Sequence, residues 1–366
     1  MTTTNPAAPA APLAPPDLAR IAKTVATKLP FRGDVTGLTP LAGDASNRRY
    51  FRVALKGKPS ALILMQLADP EGFKKSEEAV SGASVQIAEL PFTNVLAHLQ
   101  RTGVTVPQLH YYDREAGLLY LEDFGDLTLA EACRDADRAR LVSLYRQAID
   151  QLVLLQVKGT QPPAPGCIAF HRRFDVSLLM WEFDHFLEYG IAARLGQPMK
   201  PADDAAVRAA FQRIAELLAG QPQVFVHRDY HSRNLMVDGA RLGIIDFQDA
   251  LMGPATYDLA SLLKDAYIEL DDAVVDGLVD HFLDGLAAQG QGWADRAALR
   301  RLFDFTSIQR NLKAAGRFVY IDRVKHNPKF LADIPRVLGY VKRNLSKYPE
   351  LATLRQHLAP YVSELQ

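Results

Sequence analysis

Apolar residues recur at helical spacing through Leu18, Ile21, Ala22, Val25 and Leu29, with Asp17 standing ahead of them as an N-cap. The spacing predicts a first helix there. From Thr36 to about Gln66 the pattern changes to short apolar runs separated by polar turns, which predicts strands over 38–42, 50–54 and 61–65. The polar stretch 43–49 joins the first two, and Lys56-Gly57-Lys58-Pro59 joins the second and third. Helical spacing returns over 90–100, where Gly103 is placed to cap the C-terminus, and strands follow at Tyr111-Tyr112 and 118–121. Beyond the acidic connector Glu122-Asp123-Phe124-Gly125-Asp126, amphipathic stretches run over 138–157, 174–195 and 206–219. Later ones start near Thr256, Ala294, Asp333 and Glu350, and one strand-rich island, 224–247, interrupts them. The first sixteen residues contain ten Ala or Pro and read as a disordered tail. The expected organisation is a tail over 1–16, an N-lobe over 17–123 and a C-lobe over 124–366. The fold class is α+β, with a small antiparallel β N-lobe and a large, mainly helical C-lobe.

Composition narrows the partners. Of 366 residues 48% are apolar, enough for a sizeable core, and 42 Lys plus Arg balance 42 Asp plus Glu. A protein that grips nucleic-acid phosphates normally carries a basic excess, so no nucleic-acid partner is expected. No run approaches the roughly 18 apolar residues of a membrane span, so no membrane partner is expected. The tail lacks the basic start and unbroken apolar segment of a signal peptide. Cys133 and Cys167 form neither a disulfide framework nor a zinc set, which points to a reducing, cytoplasmic setting.

The chemistry concentrates in the island, which reads Val224-Phe225-Val226-His227-Arg228-Asp229-Tyr230-His231-Ser232-Arg233-Asn234, then two apolar runs around Asp238-Gly239-Ala240-Arg241, then Asp246-Phe247. The apolar runs about a glycine predict a hairpin. Centred near Ala240, it would set Asn234 and Asp246 opposite each other on one face. An amide oxygen and a carboxylate so placed suit a hard cation such as Mg²⁺. Asp229, five residues before Asn234 in a polar loop, is placed to take the proton of a substrate hydroxyl. Asp, four residues, Asn, then a second Asp at a strand end is the phosphoryl-transfer pattern of kinase-like enzymes. His227 and His231 would make a metal pair only on a helix, and a strand runs into them, so His227 reads as a structural loop histidine. Gly43, Asp44, Ala45 and Ser46 form either an ordinary hairpin loop or a stretch of small residues through which backbone N–H groups can approach phosphates, with Arg48 and Arg49 adding charge. Arg310, Lys313 and Arg317 fall on one face of a late helix, either as a solvated stripe or as a wall for an anionic group.

The string from His227 to Phe247 resembles the catalytic loop of the aminoglycoside phosphotransferase family, which has a bilobal protein-kinase-like fold. The likeness extends from about Leu41 to Tyr340 and includes Gly253-Pro254 and Tyr257-Asp258-Leu259-Ala260. It implies ATP and Mg²⁺ as cofactors, Asp229 as catalytic base, Asn234 and Asp246 as metal ligands, and Asp258 as a support of the loop. Glu122 and Phe124 stand where the resemblance puts the nucleotide hinge. Segments 43–46, 48–52, 121–126 and 309–313 are similar to those of bacterial amino-sugar kinases that phosphorylate the anomeric hydroxyl of N-acetylmuramate and N-acetylglucosamine. That likeness implies an amino-sugar acceptor bound by Arg310 and Lys313; an aminoglycoside, an amino alcohol or another sugar is the alternative. One departure stands out: Met65 occupies the third-strand position where kinases carry lysine. Either Arg48, Arg49 or Arg52 substitutes, as the same Met in the amino-sugar kinases favours, or the chain is a nucleotide-binding pseudokinase.

Overall fold

Alternation along the early strands decides how the first unit packs. The computed structural model describes residues 14–41, 48–67, 89–293 and 295–366. The chain divides into two compact units, Met1–Phe73 with Pro107–Asp123, and Lys74–Val106 with Phe124–Gln366. In the first, β1 (Asp34–Leu41), β2 (Arg49–Lys56), β3 (Ala61–Gln66), β4 (Leu109–Asp113) and β5 (Leu118–Leu121) form one antiparallel sheet in the order β1-β2-β3-β5-β4. Side chains of a strand alternate between faces. Phe51, Val53 and Leu55 of β2, with Leu62 and Leu64 of β3, therefore share one face and bury against Ile21 and Val25 of the helix Leu18–Lys28. Asp17 caps that helix by accepting from Ala19 N at 2.9 Å. The tail reading runs too far: Gln66 Nε2 donates to Ala14 O at 3.1 Å and Pro16 is buried, because a polar side chain at a strand end needed a partner.

The second unit is mostly helical. Its longest helix, Arg296–Lys325, buries Phe305, Ile308, Leu312 and Ala315 and packs against the helix Val176–His185 and the π-helical segment Phe186–Ala193 that continues it. Gly316 permits the close approach, since a Cβ there would stand 2.8 Å from Phe186 Cα and 3.0 Å from His185 O. The helix Pro91–Thr102, placed in the N-lobe from sequence, belongs to this unit instead. Its Asn94 accepts from Ile168 N and donates to Gly166 O, both at 2.8 Å, and Phe92 packs on Phe247 with ring centres 5.0 Å apart. Its polar and apolar faces are both satisfied there, which sequence adjacency to the sheet did not indicate.

The island holds two separate pairings. Strand β7 (Leu235–Asp238) and strand β8 (Arg241–Ile244) form the expected hairpin. Strand β6 (Gln223–Val226) pairs instead with β9 (Leu251–Pro254), a strand the sequence pattern did not predict.

Candidate active site

The loop between β6 and β7 is held at several points by groups from outside it. Asp258, buried near the start of the helix Thr256–Leu263, accepts from His227 N at 2.7 Å and Arg228 N at 3.0 Å. Burial pushes its carboxyl up to about 6 against the pull of His227 and these donors. His227 accepts from Asp229 N on Nδ1 at 3.3 Å, which leaves Nε2 to donate to Ile245 O at 2.9 Å. It thereby braces the loop against the chain leading to Asp246. Further along, Asp265 accepts from Ser232 N at 2.9 Å and from Tyr267 N at 3.0 Å, while the Arg233 guanidinium lies 3.6 Å over the Tyr267 ring.

Asn234 Nδ2 donates to the Asp229 carbonyl at 2.9 Å. That fixes the amide, and its Oδ1 accepts no hydrogen bond among the described residues. The hairpin register differs from expectation. Its turn is Gly239-Ala240, so Leu235 faces Ile244 and Asn234 comes opposite Ile245, whose N–H bonds the Asn234 carbonyl at 3.0 Å. The centre lies half a residue earlier than Ala240. Asp246 therefore does not oppose Asn234 directly; it leaves the strand with a left-handed φ of 65°, which re-aims its carboxylate, and Gln248 Nε2 donates to its Oδ1 at 3.0 Å. The donor set is still oxygen only, the chemistry a hard divalent cation takes.

A second cluster stands beside Asp229. Glu182, wholly buried on the helix Val176–His185, meets Arg228 Nη2 at 3.3 Å, Lys313 Nζ at 3.1 Å, Gln309 Nε2 at 2.9 Å and Tyr257 Oη at 3.4 Å. Burial alone would raise the Asp229 carboxyl; Lys313 foremost, then His231, Arg228 and Arg310, outweigh it and hold the group well below the usual carboxylate range. Asp229 is thus an ionised acceptor at neutral pH. Arg310 is only 7% exposed, yet its guanidinium has no hydrogen bond or ion pair among the described residues. Lys313, grouped with it from sequence, is tied to Glu182.

In the second unit, then, the structure brings together Asp229, Asn234, His227, Asp258, Arg310 and Lys313. Arg48, Arg49 and Glu122 belong to the first unit, while Gly43, Asp44, Ala45 and Ser46 lie outside the described residues. Arg49 lies 5.0 Å over the Phe51 ring, and Arg52 forms a two-pronged pair with Asp123 at 2.6 and 3.1 Å. Met65 is fully buried between Tyr50 and Leu119. Glu122 Oε2 accepts from Gln108 N at 3.2 Å, so that side chain serves the sheet end. Phe124 is buried against Gly243, where any Cβ would collide with its ring. Glu182 and Asp265 escaped the sequence reading. Their one local signal is an acid inside or just after an apolar helical run, Met180-Trp181-Glu182-Phe183 and Leu262-Leu263-Lys264-Asp265.

An antiparallel sheet unit, a helical unit and a loop and hairpin carrying Asp229, Asn234 and Asp246 define a protein-kinase-like phosphotransferase. A model of the phosphotransferase enzyme family (APH) matches residues 37–300, and the chain belongs to that family. It is 34% identical over 327 residues to a Pseudomonas putida protein named N-acetylmuramate/N-acetylglucosamine kinase, covering 88% of this chain and 87% of that one. A Pseudomonas aeruginosa protein of the same name is 31% identical over 330 residues, covering 88% of each. Among solved structures, a choline/ethanolamine kinase family protein from Mesorhizobium loti superposes with a TM-score of 0.57 at 19% identity, covering 94% of this chain and 99% of that one. Membership of a kinase family implies use of ATP. Among the described residues no helix is long and apolar enough to cross a membrane.

Proposed function

We propose that the protein is an Mg²⁺- and ATP-dependent cytoplasmic kinase that phosphorylates the anomeric hydroxyl of N-acetylmuramate or N-acetylglucosamine, in the recycling of cell-wall sugars. The acceptor oxygen attacks the γ-phosphorus, the bond to the β-phosphate oxygen breaks, and Asp229 collects the hydroxyl proton as ADP leaves. An anomeric hydroxyl is more acidic than an ordinary alcohol, so a carboxylate of low pKa suffices to orient it and take the proton late. Asn234 Oδ1 and the Asp246 carboxylate would hold the cation, whose contribution is to neutralise phosphate charge.

The observation that carries the acceptor is Arg310, a largely buried residue whose guanidinium has no hydrogen bond or ion pair among the described residues and which acts electrostatically on Asp229. Buried charges are normally paired. The lactyl carboxylate of N-acetylmuramate supplies the missing partner, and the names of the curated relatives support the same sugar. Arg310→Ala should then lower kcat/KM for N-acetylmuramate by about ten- to a hundredfold, the worth of one charge-assisted bond of roughly 1.5–3 kcal/mol. N-acetylglucosamine, which lacks that charge, should lose much less. Failure to form a sugar 1-phosphate from either substrate, by enzyme that binds Mg·ATP, removes the amino-sugar reading.

A further inference from the structure

Lys313 bonds a buried acid and acts electrostatically on the proposed base, and its donors are only partly used. An ammonium has three N–H groups. One meets Glu182 Oε1 at 3.1 Å and one meets Tyr257 Oη at 3.3 Å; the third has no partner among the described residues. The lysine side chain keeps 20% of its surface exposed while that of Glu182 keeps none, so the acid is the more deeply buried of the pair. Glu182 also grips Arg228, the residue immediately before Asp229. Gln309 and Tyr257 complete its ring of partners, which locks the carboxylate in place.

We propose that Lys313 is a catalytic residue whose ammonium meets the transferring phosphoryl group beside Asp229, and that Glu182 is the positioning residue that holds it there. This rests on the kinase reading of the site but not on which acceptor is used. Charge in phosphoryl transfer spreads over the three equatorial oxygens of the moving group. A cation fixed in advance in a dry site stabilises that charge far better than one that must reorganise. Lys313 donates a hydrogen bond and keeps its proton: burial alone would lower its pKa, but its acidic neighbours, the Glu182 carboxylate foremost, outweigh burial and hold it above the ordinary lysine value. The hydroxyl proton goes to Asp229, and the bonds made and broken are those already given. The division of labour follows from the partners. Arg310 lacks an anion and takes the acceptor's; Lys313 already has one and is oriented by it.

The test uses Lys313→Met, which keeps the apolar stem and leaves Glu182 paired with Arg228, and the double variant Glu182→Gln/Lys313→Met, which removes the buried acid together with its lysine. Both should lose at least about a hundredfold in kcat, with acceptor KM little changed and the same factor for N-acetylmuramate and N-acetylglucosamine. Glu182→Gln alone should lose about tenfold in kcat, since the ammonium stays but is no longer held. Mg²⁺, ADP and aluminium fluoride, which imitate the moving phosphoryl, should bind these variants at least about tenfold more weakly, while Mg·ADP binds as in the wild type. A rise in KM confined to N-acetylmuramate would return Lys313 to the acceptor carboxylate and overturn the proposal. Unchanged affinity for the aluminium fluoride complex would also overturn it. If neither sugar is phosphorylated the acceptor reading falls, and the aluminium fluoride measurement still decides Lys313.

Discussion

Replacing Asp258 by asparagine keeps the side chain's shape but removes one of its two acceptor oxygens. One of the His227 and Arg228 N–H groups then faces an amide N–H instead of a carboxylate. Losing a bond to a charged acceptor costs about 1.5–3 kcal/mol. Opposing that loss, the wild-type carboxyl titrates at about 6 rather than its ordinary 3.8. Holding it ionised at pH 7 therefore costs on the order of 3 kcal/mol, which the neutral amide does not incur. The two nearly cancel. The expected outcome is a protein whose urea midpoint at pH 7 hardly moves but whose kcat falls about ten- to a hundredfold, because the lost bond fixes Arg228 and through it Asp229. The pH dependence follows the same group. Its folded pKa is raised, so its contribution to stability is full below about pH 4 and is lost as pH rises through about 6. Activity moves the opposite way, rising as the carboxylate forms and accepts both N–H groups. Rates of ADP formation between about pH 4.5 and 8 should show an acid limb near 6 in the wild type that flattens in Asp258→Asn. A variant with kcat within about threefold of wild type, or with the limb unmoved, refutes the reasoning.

Two further outcomes are expected. Asp229→Asn should lower kcat at least about a hundredfold while calorimetry finds Mg·ATP affinity little changed, and near wild-type turnover would exclude Asp229 as the base. Gly316→Ala should lower stability by about 1–3 kcal/mol in urea denaturation, since its Cβ meets the backbone of His185 and Phe186 rather than a side chain that can turn away; an unmoved midpoint would rule out that close approach.

The parts of the site that were legible in the sequence are those whose partners are close along the chain. Asp229, Asn234 and Asp246 lie within eighteen residues, in the loop before one hairpin and at its two ends, so spacing alone grouped them. The hairpin itself was read half a residue off, because the glycine turn admits either centre and only the ladder of hydrogen bonds distinguishes them. Strand β9 was missed since its partner β6 lies well upstream, across the whole loop, and Leu251–Pro254 is too short to show alternation. Glu182 meets Arg228 across 46 residues and Gln309 across 127, a separation over which no local pattern speaks. Asp258 was found only through resemblance, and Asp265, seven residues on, does the same work for the other end of the loop. The helix Pro91–Thr102 was read correctly as a helix but assigned to the wrong unit, since amphipathicity tells that a face is buried and not against what.

Arg228 adopts a φ of 81°, a conformation that costs a residue other than glycine on the order of 1 kcal/mol or more. Its two anchors, Glu182 and Asp258, lie 46 residues before it and 30 after it. Neither is at hand until helices from both sides of the loop have docked. Without those anchors nothing holds the strained φ, and relaxation of Arg228 to negative φ would carry Asp229 out of place. The same arrangement makes the site the first casualty of a local opening. Parting the helix Val176–His185 from the loop silences the enzyme while most of its core is still intact.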